Sequence, residues 1–308
     1  MNKQNDSLRF QLQQYLIHWD LFLLFIPLLL YLIIFHYKPM FGIVIAFKDF
    51  KLTYGVWDSE WVGLSNFTKL MRTPSFIRVF FNTIKISLLR IIFGFPMPIL
   101  FALLLNELHS ARYKKVVQTI SYLPHFLSWV ILGGIFISFL SPTNGPIGSI
   151  MSSMGLTPIY FLGNKNWFVP TLIITGIWQS VGWNSIIYLA AISGVSQELY
   201  EAAEIDGATR FQNVIYITIP SIMPTVTIMF ILGMGGILNA GFDQIFNLYN
   251  EAVMSVADII DTYVYRRGLV EMDYSFSTAV GLFKNVVGFA FVLATNAFAR
   301  RFSEYGLW

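Results

Sequence analysis

Cysteine is absent from this sequence of 308 residues, which excludes disulfides, thiol catalysis and thiolate metal sites. Charge is scarce: 12% of residues are charged, and the net charge of +3 is too small and too dispersed to predict nucleic acid binding. No G-x-x-x-x-G-K-[ST] phosphate loop occurs, so the chain is not itself a P-loop ATPase. The four histidines are scattered, and we predict no metal site from them.

Hydrophobic residues fill most of the chain instead. They make up 56% of the sequence, and 17% of residues are aromatic. With a mean hydropathy of +0.62, this composition is typical of a polytopic membrane protein. We therefore predict an all-α fold with a tail at residues 1–20 and a six-span transmembrane domain at residues 21–308. The predicted spans are about 21–37, 80–105, 116–140, 167–192, 219–240 and 275–298.

Six spans place both termini on one side of the membrane, together with the polar segment between spans four and five. The apolar stretch after Asp20 is too long for a signal-peptide core and lacks an Ala-x-Ala-type site, so we interpret it as a retained first span. Outside the spans, eight Lys and Arg residues fall on the side of the termini and nine on the other. The positive-inside rule therefore does not assign the sides.

The longest polar stretch of the sequence runs from Ser196 to Pro224. Four carboxylates fall within nine of its residues, namely Glu198, Glu201, Glu204 and Asp206. An ionised side chain in the bilayer core costs about 2.5 kcal/mol or more, so this stretch must lie in water. The stretch therefore predicts a water-exposed connection between two spans, and another protein can bind this connection.

Capping residues predict two short helices in this stretch. Ser196 is a good N-cap, and residues 197–206 contain neither Gly nor Pro. Gly207 stands where a left-handed residue would end the first helix, giving a helix at about 197–207. Thr209 and Gln212 form the pattern of a capping box that starts a second helix.

One face of the first helix is small and apolar. Leu199, Ala202, Ala203 and Asp206 share it by three- and four-residue spacing. Two adjacent alanines let another surface approach the backbone closely, while the glutamates place charge around the rim. The helix is therefore shaped to insert into a groove on another protein.

The same residues carry a resemblance to a known family. Glu201-Ala202-Ala203, then Gly207 four residues on and Ile219-Pro220 at the end, resembles the EAA signature of importer-type ABC permeases, with Ile219 in place of the usual leucine. The run from Glu201 to Ala208 is similar to the carbohydrate branch. Residues 36–49 and the final Gly306-Leu307-Trp308 are similar to permeases for large oligosaccharides and polysaccharides.

The resemblance implies the type I ABC importer permease fold and a cytoplasmic coupling helix that docks on a separate ATPase subunit. It assigns ATPase coupling to nine residues: Glu198, Leu199, Glu201, Ala202, Ala203, Asp206, Gly207, Ala208 and Pro220. The chain itself is then no enzyme and holds no cofactor, because ATP and Mg²⁺ are bound by two partner ATPase subunits. The other implied partners are a second, different permease subunit and an extracytoplasmic solute-binding protein. The implied location is the bacterial cell membrane, with both termini in the cytoplasm.

A sugar pathway would need aromatic faces and amides at membrane depth. Candidates in spans four to six are Trp178, Gln179, Trp183, Asn184, Asn239, Asp243, Gln244, Lys284 and Asn285. Asp243 and Lys284 are candidates for an ion pair across the pathway. The alternative is that the tryptophans belong to the interfacial belt and that Lys284 packs or snorkels. Lys85 and Arg90 in span two we interpret as structural, near an interface or paired with a carboxylate.

Three other functions compete with a sugar importer subunit. A permease for a non-sugar solute would share the coupling signature. A stand-alone secondary transporter should carry several buried carboxylates at the midplane, and only Asp243 is plausible. An integral membrane enzyme should show clustered His, Asp or Glu with a base or metal partner, which the acidic helix lacks.

Overall fold

The computed structural model describes residues 19–302, and the chain is helical over most of that range. The predicted tail at residues 1–20 lies almost entirely outside the described residues, as does the C-terminal resemblance at Gly306-Leu307-Trp308. Strand is confined, among residues 19–302, to an antiparallel ladder in which Lys48 pairs with Trp61 and Asp49 with Glu60. The all-α prediction is confirmed.

The helices and strands are numbered here in chain order. The N-terminal half contains α1 Trp19–Leu32, α2 Lys38–Met40, β1 Lys48–Asp49, α3 Gly55–Asp58, β2 Glu60–Trp61, α4 Ser65–Arg72, α5 Pro74–Leu89, α6 Pro96–Asn106, α7 Ala111–Tyr122, α8 Trp129–Phe139 and α9 Pro146–Ser153. The C-terminal half contains α10 Lys165–Ser193, α11 Gln197–Ile205, α12 Arg210–Asn213, α13 Ile219–Gly235, α14 Phe242–Leu248, α15 Met254–Ala257, α16 Ile260–Tyr265 and α17 Tyr274–Phe302.

Several of these helices join end to end into membrane-length stretches. Four helical stretches in the described part are long and apolar enough to cross a bilayer, namely Leu23–Phe47, Pro74–Asn106, Arg210–Gly235 and Tyr274–Phe298. A fifth candidate is the pair Ala111–Phe126 and Trp129–Phe139, bent by 102°. Helix α10 has the length of a span but carries polar residues such as Gln179 and Asn184. Six crossings are compatible with this arrangement and stay a prediction.

Wide helical turns join consecutive helices within three of these stretches, and a proline follows each of these turns. Three π turns are each followed, two residues later, by a proline: Ile33–Tyr37 by Pro39, Arg90–Gly94 by Pro96, and Val214–Thr218 by Pro220. A proline ring clashes with the carbonyl four residues earlier, and a local π turn lets the helix continue past it. The helix boundary predicted at Tyr37 is therefore wrong, because helical turns continue to Phe47.

Within the third predicted span, the helix is interrupted at Pro124. Helix α7 runs into a 3₁₀ turn at Leu123–Phe126, and α8 starts anew after Ser128, whose hydroxyl accepts from the Ile131 amide. The two helices meet at 102° because Pro124 and the new N-cap break the backbone ladder.

Helix α10 lies at the centre of the fold. It packs against α6, α7, α13, α14 and α15. Two of the three cores lie along it: one contains Phe168 and Leu172, and the other contains Tyr188. Gly182 is essential to the packing on α7, because a Cβ there would lie 2.2 Å from the backbone oxygen of Ser121. The third core joins α5, α16 and α17.

The segment between α13 and α17 falls between the fifth and sixth predicted spans and contains the short helices α14, α15 and α16. Its anchor is Asp258, which is 2% exposed and accepts from Arg266 Nη2 at 2.6 Å. The hydrogen bonds that Arg266 donates to Asp258 raise the pKa of Arg266 above its ordinary value. The segment is thus held in place by a partly buried ion pair rather than left loose.

Candidate functional site

The first candidate site is the coupling elbow, defined here as Ser196–Pro220. The Ser196 hydroxyl accepts from the Glu198 amide at 3.3 Å and caps α11. The helix ends where Gly207 adopts a φ of +79°, and the amide of Ala208 then donates to the carbonyl of Ala203 at 2.9 Å. This is the hydrogen bond of a Schellman C-cap, so glycine is required for its left-handed backbone.

The second half of the coupling elbow starts as predicted. Thr209 and Gln212 form a reciprocal capping box, in which the Thr209 amide donates to Gln212 Oε1 at 2.7 Å. Helix α12 then continues through its π turn into α13 without a break. The hydroxyl of Tyr200 on α11 lies 2.9 Å from the hydroxyl of Thr218, so the two halves of the elbow are tied together.

The surface of the coupling elbow mixes acidic and apolar side chains. All four predicted carboxylates are exposed. Of the predicted apolar face, Leu199 and Ala202 are exposed and Ala203 is half-buried. Two apolar side chains missed by the sequence reasoning are more exposed still: Ile205 is 87% exposed and Phe211 is 73% exposed. Their exposure could have been predicted from the sequence, because a large apolar side chain beside charged residues in a water-facing helix often marks a surface that binds a partner.

Two of the predicted coupling residues, Ala208 and Pro220, act on the backbone of the coupling elbow instead of adding exposed apolar or acidic side chains. Ala208 is half-buried and donates the capping hydrogen bond just described. Pro220 stands in the first turn of α13, directly after the π turn. Its position shapes the entry to the span rather than adding to the apolar surface of Leu199, Ile205 and Phe211.

The second candidate site is a cavity of about 740 Å³ between α10 and the helices that pack on it, called here the main cavity. Its walls are Arg90, Gly94, Phe95, Pro98, Leu172, Ile173, Gly176, Ile177, Ser180, Trp183, Asn184, Ile186, Ile187, Tyr188 and Met229. Ligand pockets usually measure about 300–1,000 Å³ and are mostly apolar with a few polar groups. The main cavity has both properties.

A smaller cavity of about 300 Å³ lies next to it and shares Arg90 and Phe95 with the main cavity. Asn239, one of the predicted pathway residues, lines this smaller cavity. Gly233 and Gly236 at the end of α13 line it as well. The two cavities therefore meet at the π turn that starts at Arg90.

The contact between Arg90 and Gln244 stands at this junction. Arg90 Nη2 donates to Gln244 Oε1. Gln244 is 1% exposed, and its Nε2 donates to the Leu172 carbonyl at 2.9 Å and to Thr175 Oγ1 at 2.8 Å. Sequence reasoning named Gln244 as a pathway residue but interpreted Arg90 as structural, near an interface or paired with a carboxylate; in the structure Arg90 is paired with this neutral amide instead. A cation inside an apolar span was the available signal.

The remaining pathway candidates divide into three groups. Trp183 and Asn184 line the main cavity, and the Trp183 ring stacks on His125 with centroids 4.7 Å apart. Trp178 packs edge-on against Phe136, and Gln179 reaches the His125 carbonyl at 3.5 Å; neither lines a cavity described here. Asn285 and Asp243 are exposed.

The suggested ion pair between Asp243 and Lys284 is wrong. Lys284 Nζ donates to Asp261 Oδ1 at 2.5 Å, which joins α17 to α16. Asp243 lies on α14 with its side chain exposed, and Lys284 is largely buried in its own ion pair. The sequence offers six carboxylates between α13 and α17 for this one lysine, and only the fold decides which is adjacent.

Comparison with known proteins supports this architecture. Residues 94–304 match the family described as the binding-protein-dependent transport system inner membrane component. Two proteins of Bacillus subtilis (strain 168) are similar over nearly the whole chain. Protein LplB is 45% identical over 288 residues, covering 94% of this chain and 91% of LplB. The polygalacturonan/rhamnogalacturonan transport system permease protein YteP is 43% identical, covering 94% of this chain and 90% of YteP.

Solved structures agree. A chain from the bacterial alginate ABC transporter, crystallised in complex with an alginate pentasaccharide-bound periplasmic protein, superposes with a TM-score of 0.88. It is 41% identical, and the match covers 96% of this chain and 99% of that chain. The type I ABC importer permease fold and the role of a transport subunit rather than an enzyme are thereby confirmed. This chain belongs to the family of binding-protein-dependent transport system inner membrane components.

Proposed function

We propose that this chain is a membrane-spanning permease subunit of an ATP-driven, binding-protein-dependent importer for oligosaccharides or polysaccharides. One observation carries the proposal: a cavity of about 740 Å³, walled by aromatic rings, an amide and hydroxyls, lies between α10 and two helical stretches long and apolar enough to cross a bilayer, Pro74–Asn106 and Arg210–Gly235. Trp183 offers a ring face and Asn184 an amide, which are the groups that hold sugar rings and hydroxyls. The named substrates of YteP and of the alginate transporter, both polysaccharides, support it.

The coupling elbow supplies the second half of the mechanism. Leu199, Ile205 and Phe211 are each exposed among the four carboxylates of the coupling elbow, and such exposed apolar side chains suit a groove on a separate ATPase subunit. Because α12 continues into α13, a push on the elbow moves a whole span. Alternating access follows when the ATPase favours one position of that span over the other.

The proposed assembly contains partners in addition to this chain. They are a second, different permease subunit, two ATPase subunits that bind ATP and Mg²⁺, and an extracytoplasmic solute-binding protein. The complex would lie in the bacterial cell membrane, with both termini and the coupling elbow in the cytoplasm. The periplasmic protein in the alginate transporter structure supports the last of these partners.

The test is to purify the chain with the proteins that copurify with it and to reconstitute the complex in proteoliposomes. We expect ATP-dependent uptake and ATPase stimulation with at least one member of a panel of neutral and acidic oligosaccharides delivered by the binding protein. Stimulation by amino acids or peptides in place of every saccharide would contradict the sugar assignment and leave the permease assignment intact.

A further inference from the structure

Arg90 is a cation at the junction of the two cavities, and among residues 19–302 it has no counter-ion. Within the part of the chain that the structure describes, no carboxylate lies within ion-pair distance of it, and no Asp or Glu lines either cavity. Arginine keeps its charge in proteins, and a charge in a span without a partner is costly. The free-energy cost of this unpaired charge implies that an anionic group compensates it.

The fold shapes this position in three independent ways. Arg90 starts the π turn Arg90–Gly94, and such turns often re-aim side chains at functional sites. Gly241 has a φ of +84°, and a Cβ there would lie 2.5 Å from Arg90 Nη2, so glycine makes room for the guanidinium. Gln244, itself held by Leu172 and Thr175, fixes Nη2 from the other side.

The guanidinium still has unused hydrogen-bonding capacity. Among described residues, only Nη2 has a partner, while Nε is buried without one and Nη1 has none. The Gln244 amide supplies a dipole but no charge. Nη1 and the second N–H of Nη2 form the end of the planar guanidinium, and a carboxylate can bind that end with two parallel hydrogen bonds, whereas the buried Nε is out of reach of a ligand. Sugar hydroxyls can also accept from arginine, but they do not neutralise it.

We propose that Arg90 binds the carboxylate of an acidic sugar in the main cavity, so that the transported saccharide belongs to the uronic acid class. This rests on the proposed saccharide importer function and names its substrate class. Arg90 lies outside residues 94–304, which match the family model, so family membership alone does not imply this role. Gln244 acts as a positioning residue for Arg90.

The test compares an acidic trisaccharide with its neutral counterpart in the reconstituted full complex. The probes are trigalacturonate and the same trisaccharide after reduction of its carboxyl groups. Arg90→Gln should lower trigalacturonate uptake at least tenfold while changing uptake of the neutral probe less than twofold. The matched control is Lys85→Gln, which removes an exposed cation from the same helical stretch that lines neither cavity, and it should leave both rates unchanged.

Each outcome decides a different statement. Equal losses for both probes in Arg90→Gln, or no loss, overturn the carboxylate assignment and leave the importer proposal standing. If the wild-type complex transports neither of these probes nor any saccharide of the panel, the importer proposal itself fails. If Arg90→Gln does not assemble, Arg90→Lys decides, because it keeps the charge but loses the planar fork. Its trigalacturonate uptake should fall severalfold, and undiminished uptake overturns the assignment.

If the wild-type complex takes up only the acidic probe, the variants are compared on that probe alone. Arg90→Gln should then fall at least tenfold below Lys85→Gln. Equal uptake by these two variants overturns the assignment, because the position of the charge would not matter.

Discussion

The coupling elbow and the main cavity are built in opposite ways. The coupling elbow is made from 25 consecutive residues, and its shape follows from neighbours: a Schellman cap at Gly207 and a capping box at Thr209. The cavity junction is made from Arg90 and Gln244, which are 154 positions apart in the sequence. The difference teaches that the proposed docking surface for a partner subunit is encoded locally, while the proposed solute site exists only once the helices have packed.

The largest effect should come from a substitution in the coupling elbow. We expect Gly207→Val to abolish uptake and ATPase stimulation while the protein still inserts, because a β-branched residue at a φ of +79° adds about 1–3 kcal/mol of strain. A strained cap would displace the surface of Leu199 and Ile205. The measurement is ATPase stimulation of the reconstituted complex.

A matched glycine provides the control for that experiment. Gly155 has a φ of +74° and follows α9 in the same Schellman arrangement, with the Leu156 amide donating to the Met151 carbonyl at 2.9 Å. Gly155→Val should impose the same backbone strain without loss of ATPase stimulation. Normal stimulation in Gly207→Val, or equal loss in both variants, would count against the elbow as the point of coupling.

The next largest effect should come from the contact between Arg90 and Gln244, which are far apart in the sequence. Gln244→Glu would give Arg90 a fixed counter-ion beside it, and trigalacturonate uptake should fall about tenfold, the equivalent of about 1.4 kcal/mol. Gln244→Met is the uncharged control of similar length. If both variants lose the same activity, the effect comes from the hydrogen bonds to Leu172 and Thr175 and not from charge.

A smaller effect is expected where the two halves of the coupling elbow are tied. Tyr200→Phe removes the hydroxyl that meets Thr218 at 2.9 Å, and a hydrogen bond of this kind is worth about 0.5–1.5 kcal/mol. ATPase stimulation should fall about two- to fivefold, with insertion unchanged. Tyr216→Phe, at a tyrosine that is 74% exposed, should have no effect. A larger loss in Tyr216→Phe than in Tyr200→Phe would contradict this explanation.

The smallest effect concerns Asp243. Its carboxylate is exposed on α14, next to Gln244 but outside the lining of both cavities. Asp243→Asn should therefore alter saccharide uptake by about twofold at most and leave assembly intact. Uptake equal to that of the wild type removes Asp243 from the pathway, and a tenfold loss would show that the carboxylate, rather than Arg90 alone, sets the charge of the route.

The same contrast explains which parts of the structure could be predicted from the sequence. Ser196, Gly207 and the pair Thr209–Gln212 act on residues at most five positions away, so the structure of the coupling elbow was predictable. The partner of Lys284 was not, because Asp243 and Asp261 are equally plausible until α16 and α17 are packed together. The first predicted span ended at Tyr37, whereas helical turns continue through Pro39 to Phe47, because a π turn precedes that proline.

The helical stretch Arg210–Gly235 joins the two regions and has a mechanical consequence. It contains 26 residues, beginning in the coupling elbow and ending where Gly233 lines the smaller cavity. At a rise of about 1.5 Å per residue it is a rod of about 39 Å. Tilting such a rod by about 10° about one end would swing the other by about 7 Å. In the proposed mechanism, a modest rotation at the coupling elbow would thus become a displacement as wide as a sugar ring beside Arg90.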